Sequence, residues 1–197
     1  MAITINGSSN TITGLAVGGL PDGIVDTDML AANAVTAAKA TGSAKGITMA
    51  DQWRLNANAT INGAAALVAN WERVDNTNWS GIGTGMSESS GIFSFPTTGI
   101  YLVQFQSRGY SSSGARSYAG VYIQTGVSGT YTNVADAYDS GSADYYYFNI
   151  VTSTIFDVTN TSTHTVRLNV DSSGVTVFTG SSNKNETFVT FIRLGDT

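Results

Sequence analysis

The chain has 197 residues, enough for one domain of ordinary size and an extension. Nine Lys and Arg against 14 Asp and Glu leave a formal charge of −5, and the cations form no run, which argues against a phosphate-binding, nucleic-acid surface. The absence of cysteine excludes disulfides, zinc–thiolate sites and thiol nucleophiles, and low charge with abundant Thr, Val, Ile and Tyr favours half-buried strands over helices.

Residues 1–22 alternate apolar and polar side chains through Ile3, Ile5 and Ile12, between Gly-rich turns. That pattern predicts one or two short strands with no core of their own, an attachment segment stable only against a partner. No basic start precedes an apolar stretch of signal-peptide length, and no run of about 18 apolar residues exists, so neither a leader nor membrane insertion is expected. Within residues 23–42, GIVDTDMLAA and NAVTAAKATG form a short repeat that aligns Gly23 with Asn33, Val25 with Val35 and Leu30 with Ala40. Small side chains let three chains approach an axis, with one Val per copy as a thin apolar seam. A short Ala-rich helix from Met29 to Ala40, capped by Asp26 or Thr27, is the other reading, and neither form would fold alone. Residues 23–50 are therefore expected to be a short intertwined stalk or linker.

From Asp51 to Thr197 the texture is β throughout. Strands are predicted at Trp53–Ala57, Ala66–Val74, Ile92–Phe95, Ile100–Gly109, Tyr118–Thr125, Thr130–Tyr138, Tyr145–Phe156, Thr163–Val170, Val175–Thr179 and Thr187–Leu194. Turns between them suit an all-β, ten-stranded, two-sheet jelly roll over residues 51–197. Tyr101, Val103 and Phe105 share one face of their strand, opposite Ile100, Leu102 and Gln104. The last strand sets Phe188, Ile192 and Leu194 against Val189, Phe191 and Arg193, and so is apolar on both faces. A strand of that kind needs cover twice. Ile100, Leu102, Val189 and Phe191 are accordingly the expected residues of a subunit interface.

The segment GIFSFPTTGIYLVQFQ, from Gly91 to Gln106, joins two strands through a Pro-Thr-Thr-Gly break in which Pro96 and Gly99 set the turn. Its Phe93, Phe95 and Gly99-Ile100-Tyr101, with the C-terminal Phe188-Val189-Thr190-Phe191-Ile192, resemble the signature segments of the complement globular-head domain, the trimeric jelly roll shared with tumour-necrosis-factor-like proteins. The resemblance implies a homotrimer in which strands of the inner sheet pack about a threefold axis. The segments LPDGIV and AANAVTAAKA resemble those of bacteriophage fibre proteins, in which they form intertwined stalks.

Little chemistry is legible. His164 is the lone histidine, stands at a strand start, and has no nucleophile motif to serve. Asp136, Asp139 and Asp144 fall in the stretch DAYDSGSADYYY, which lacks the ordered ligand spacing of a calcium loop and reads as a solvated acidic turn. No enzyme, cofactor or metal site is expected. Tyr110, Tyr138, Tyr145 and Tyr147, beside Gly- and Ser-rich turns, are candidates for contact with a host surface, since flat rings with polar tips stack on sugars at small entropic cost.

The expected protein is a trimeric virion fibre. It would attach through residues 1–22 to another virion protein, tail or capsid, and project a knob that adheres to a host glycan or surface protein. A head fibre or decoration protein with no receptor is the alternative. A secreted ligand of the complement-head type is less consistent with the missing leader.

Overall fold

The computed structural model describes residues 4–6, 8, 11–13, 46–111, 116–141 and 146–197. The chain divides into two compact units, Met1–Thr41 and Gly42–Thr197. In the first, β1 (Thr4–Asn6) and β2 (Thr11–Thr13) pair antiparallel with Ile5 opposite Ile12, as the alternation predicts. The stalk-or-helix question concerns residues 23–42, which lie outside the described residues.

The second unit is all β, with two antiparallel sheets and, among the described residues, no helix. Its strands are β3 (Ala50–Leu55), β4 (Ala59–Ile61), β5 (Ala65–Ala66), β6 (Trp71–Arg73), β7 (Ser87–Ser89), β8 (Ile92–Ser94), β9 (Gly99–Ser111), β10 (Arg116–Val127), β11 (Thr130–Gly141), β12 (Tyr147–Val158), β13 (His164–Ser172), β14 (Thr176–Phe178) and β15 (Phe188–Gly195). The larger sheet is built around β9. β12 pairs along one edge of it, and β15 followed by β14 along the other. Beyond these, β15 pairs β3, β3 pairs β6, and β14 pairs β4. The smaller sheet runs β11-β10-β13-β8-β7, with β5 also on β13. Two of its hairpins close through Ser90-Gly91 and Ser128-Gly129, all four residues at positive φ, which is the two-residue turn whose twist matches a β-hairpin.

The stretch Ala66–Val74 differs from expectation. It is two strands in two sheets, because Asn70 takes a left-handed conformation (φ 66°) and the Trp71 indole Nε1 donates back to the Leu67 carbonyl at 2.8 Å. β4 and β7 are additional, short strands without a large apolar residue at two successive inward positions.

The core lies between the sheets and is strongly aromatic. Phe93, from the smaller sheet, meets Trp71 and Phe191 at 5.2 Å and Trp53 at 5.8 Å between ring centroids. Phe95, just beyond β8, meets Tyr101 at 4.6 Å and Phe156 at 5.8 Å. The Gly91–Gln106 segment thus supplies much of the packing that joins the two layers, through edge and tilted ring contacts that add to area burial.

Candidate functional site: the outer face of the larger sheet

Register decides which side chains leave the core. On β9, Tyr101, Val103, Phe105 and Ser107 are buried, whereas Ile100, Leu102, Gln104 and Gln106 point outward. Leu102 pairs with Ile155 on β12 and with Ile192 on β15; Ile192 pairs with Ala50 on β3, and Ala50 bridges to Ile82. Ile155, Leu102, Ile192, Ala50 and Ile82 therefore form one apolar row across the outer face, about 19 Å long at the usual interstrand spacing. Ile155 is 64% exposed and Ile82 46%.

The next row is polar but uncharged: Ser153, Gln104, Thr190 and Gln52. Gln52 Nε2 donates to Thr190 Oγ1 at 2.9 Å, so the amide is held in place across the strands. The third row runs Val151, Gln106, Phe188, Arg54. Its one cation is covered: the Arg54 side chain is fully inaccessible and pairs with Glu72 and Asp75, both at 2.7 Å. The centre of this face presents apolar groups and amides with no exposed charge, the composition of the interior of a protein interface.

Two of the four expected interface residues are placed elsewhere. Ile100 and Leu102 face outward, but Val189 and Phe191 are wholly buried in the intramolecular core. The reason is register: Val189 lies beside Phe105 and Phe191 beside Val103, so both share the inward face of β9. The outward residues of β15 are Phe188, Thr190 and Ile192. Alternation could not separate the two sets because both are apolar, whereas the polar partner row on β9, Gln104 and Gln106, carried the missing signal.

Three of the four expected contact tyrosines are described, and these are on strands rather than loops and divide between the sheets. Tyr110 and Tyr147 are register partners on β9 and β12, with rings 5.6 Å apart, and Tyr147 is 63% exposed. Tyr138 stands on β11 of the smaller sheet, beside Tyr118 and Tyr122, which the sequence alone did not single out. Tyr145 lies outside the described residues.

The acidic turn is corrected as well. Asp136 and Asp139 belong to β11, which continues to Gly141, and their odd spacing turns them to opposite faces. Asp144 lies outside the described residues. No group of three metal-ligating acidic, His or Cys side chains occurs among the described residues. His164 stacks on Phe156 at 5.5 Å, and Thr163 lies 3.0 Å from its Nδ1. That is a packing role.

Two sheets in this connectivity define an all-β jelly roll of the tumour-necrosis-factor type. Solved structures of that class match the chain: murine APRIL at pH 8.5 (TM-score 0.54, 14% identity, 74% of this chain and 98% of that one) and murine APRIL at pH 5.0 (TM-score 0.56, 15% identity, 74% and 98%). The Eiger TNF of S. frugiperda matches with a TM-score of 0.59 at 14% identity, over 76% of this chain and 94% of that one. At such identities the likeness is one of fold. No family model and no curated protein matches the sequence.

Proposed function

We propose that the chain is a homotrimeric virion fibre whose jelly-roll knob adheres to the host surface. The observation that carries this reading is the apolar row Ile155–Leu102–Ile192–Ala50–Ile82 on an outer face whose centre carries no exposed charge. A sheet face of this composition is stable in water when other copies cover it. Threefold packing is what the resemblance to complement-head and tumour-necrosis-factor domains implies. The virion setting rests on the LPDGIV and AANAVTAAKA segments, and residues 1–22 are the assigned attachment to another virion protein. A single adhesive site of a few stacked rings and hydrogen bonds has a dissociation constant on the order of a millimolar. Three sites on one trimer raise the apparent affinity by about a hundredfold when they engage together.

Sedimentation of the full chain tests the assembly, with three times the chain mass expected at micromolar concentration; a monomer there removes the reading. Antibody against the knob should label intact virions, and added protein should slow virus adsorption to host cells. Labelled virions with unaltered adsorption would transfer the protein to a head-decoration role without a receptor.

A further inference from the structure

The outer face of the smaller sheet carries a second arrangement, on the side of the jelly roll away from the apolar row. Pairing of β10 with β11 and β13 sets Tyr122 beside Asp136 and Asn169, and Gly120 beside Tyr138 and Asp171. Gly120 is required there. A Cβ on it would lie 2.6 Å from the Tyr138 ring, so the missing side chain is the space the ring occupies. Tyr138 remains 53% exposed, braced edge-on by Tyr118 at 5.8 Å and Tyr122 at 5.6 Å.

The hydroxyls are fixed as firmly as the rings. Tyr118 Oη donates to Asp171 Oδ2 at 3.2 Å, and Tyr122 Oη bonds the Tyr138 hydroxyl and approaches the same carboxylate oxygen at 3.4 Å. Desolvation, and after it the hydrogen bond from Tyr138 and the nearby Asp171 charge, keep the Tyr122 phenol protonated well above its ordinary range. Beside Tyr122 lies a pocket of about 210 Å³ lined by Ala64, Tyr122, Gln124, Asn133, Asn169 and Val170. Asn169 Oδ1 is buried at this pocket with no hydrogen-bond partner among the described groups, an acceptor without a donor. Gln124 is not available to it, since its amide bridges Arg167 and Asn133.

We propose that this face binds a neutral hexopyranose unit of a surface glycan, its apolar ring face against Tyr138 and its hydroxyls donating to the Asp136 and Asp171 carboxylates on either side of β10. Size, shape and charge all favour that class. The pocket is smaller than the roughly 300 Å³ and upward of drug-sized sites, so it takes one ring. Exposed aromatic faces stack on the C–H face of a pyranose, and planar amides and carboxylates fixed by their neighbours suit hydroxyl pairs. Asp136 and Asp171 repel anions, and among the described side chains the cation of this face, Arg167, is committed to Gln124 and to the Tyr131 ring, 4.1 Å from its centroid. Acidic sugars are thereby disfavoured. The site depends on the adhesion reading for its role and not for its geometry.

Saturation-transfer NMR on the full chain, with the methyl glycosides of glucose, galactose, mannose and N-acetylglucosamine as probes, tests it. At least one should bind with a dissociation constant on the order of a millimolar, and methyl glucuronide should not. Tyr138→Ala and Asp136→Ala should each weaken binding about tenfold, Tyr138→Phe should retain it, and Val68→Ala, an exposed position outside the strands, should leave it unchanged. No binding of any neutral glycoside up to about 50 mM, preference for the glucuronide, or binding indifferent to both alanine variants overturns the site. Glycoside binding by a protein that does not slow adsorption keeps the site and removes the adhesion reading. Adsorption blocked equally well by Tyr138→Ala keeps adhesion and removes this site's part in it.

Discussion

Phe93 and Phe191 meet across the core with ring centroids 5.2 Å apart and planes at 43°, one on β8 of the smaller sheet and the other on β15 of the larger. Both are fully buried, and Trp71 and Phe95 close round them. Phe191→Ala should destabilise the fold by about 3–5 kcal/mol, the usual cost of a buried aromatic truncation. Phe191→Asp should yield insoluble protein. Recovery of Phe191→Asp as a folded, soluble monomer would instead place that ring at a subunit interface.

Ile155→Asp provides the opposite case. Its side chain is 64% exposed in the single chain, so the knob should fold with an unaltered circular dichroism spectrum. Around a threefold axis the same change would bury three carboxylates, at a cost of several kcal/mol per trimer. Sedimentation should report monomers, with melting no longer dependent on protein concentration. A trimer that persists with Asp at this position shows that the apolar row is not the contact.

Among the described residues Arg54 is the most enclosed ion. It donates to Glu72 and Asp75 at 2.7 Å, and also to Asn76 and the Ser182 carbonyl. Removing a buried partner leaves the other charge partly stranded, and because Glu72 keeps some contact with water the loss for Arg54→Ala should be about 3 kcal/mol. Arg54→Lys should recover little of it, since an ammonium cannot reproduce the planar fork that serves four partners. Urea midpoints of the three proteins give the comparison.

Alkaline pH should weaken the knob through Tyr118 and Tyr122. Desolvation followed by the Asp171 charge raises the Tyr118 phenol, and desolvation followed by the Tyr138 hydrogen bond raises Tyr122 further. A raised value means the native state holds protons that the unfolded chain releases. Stability from this source is therefore complete below about pH 10 and declines as pH rises beyond it. Tyr122→Phe should flatten the decline between about pH 10 and pH 12. Parallel pH profiles for the two proteins would show that Tyr122 has no part in it.

The start of the knob can be tested by truncation. Met49 is 2% exposed, its carbonyl accepts from Arg193 N at 2.9 Å, and Ala50 exchanges two backbone hydrogen bonds with Ile82. We expect a chain beginning at Gly42 to melt cooperatively. One beginning at Asp51 should lose about 2–5 kcal/mol, because a core side chain and the end of β3 go with it. Equal stability of the two would move the boundary back to residue 51.

How far local pattern reaches is visible strand by strand. β9 declared its faces from its own residues, because Gln104 and Gln106 interrupt one side and Tyr101, Val103 and Phe105 occupy the other. The same alternation identified β13, and the resemblance of Phe93, Phe95 and Gly99-Ile100-Tyr101 to the complement-head signature implied a jelly roll. β15 could not declare its faces, since Phe188 and Ile192 are as apolar as Val189 and Phe191. Its orientation is set by hydrogen bonding to β9 and β3, where a one-residue slip would exchange the two sets. The tyrosine face needed still more distant information. Tyr122, Tyr138 and Asn169 come from three strands, and they meet only because β10 pairs on one edge with β11 and on the other with β13. Single-strand periodicity encodes which residues leave the solvent. Which of them stand together is decided by pairing between segments far apart in the chain, and no periodicity within one segment carries that.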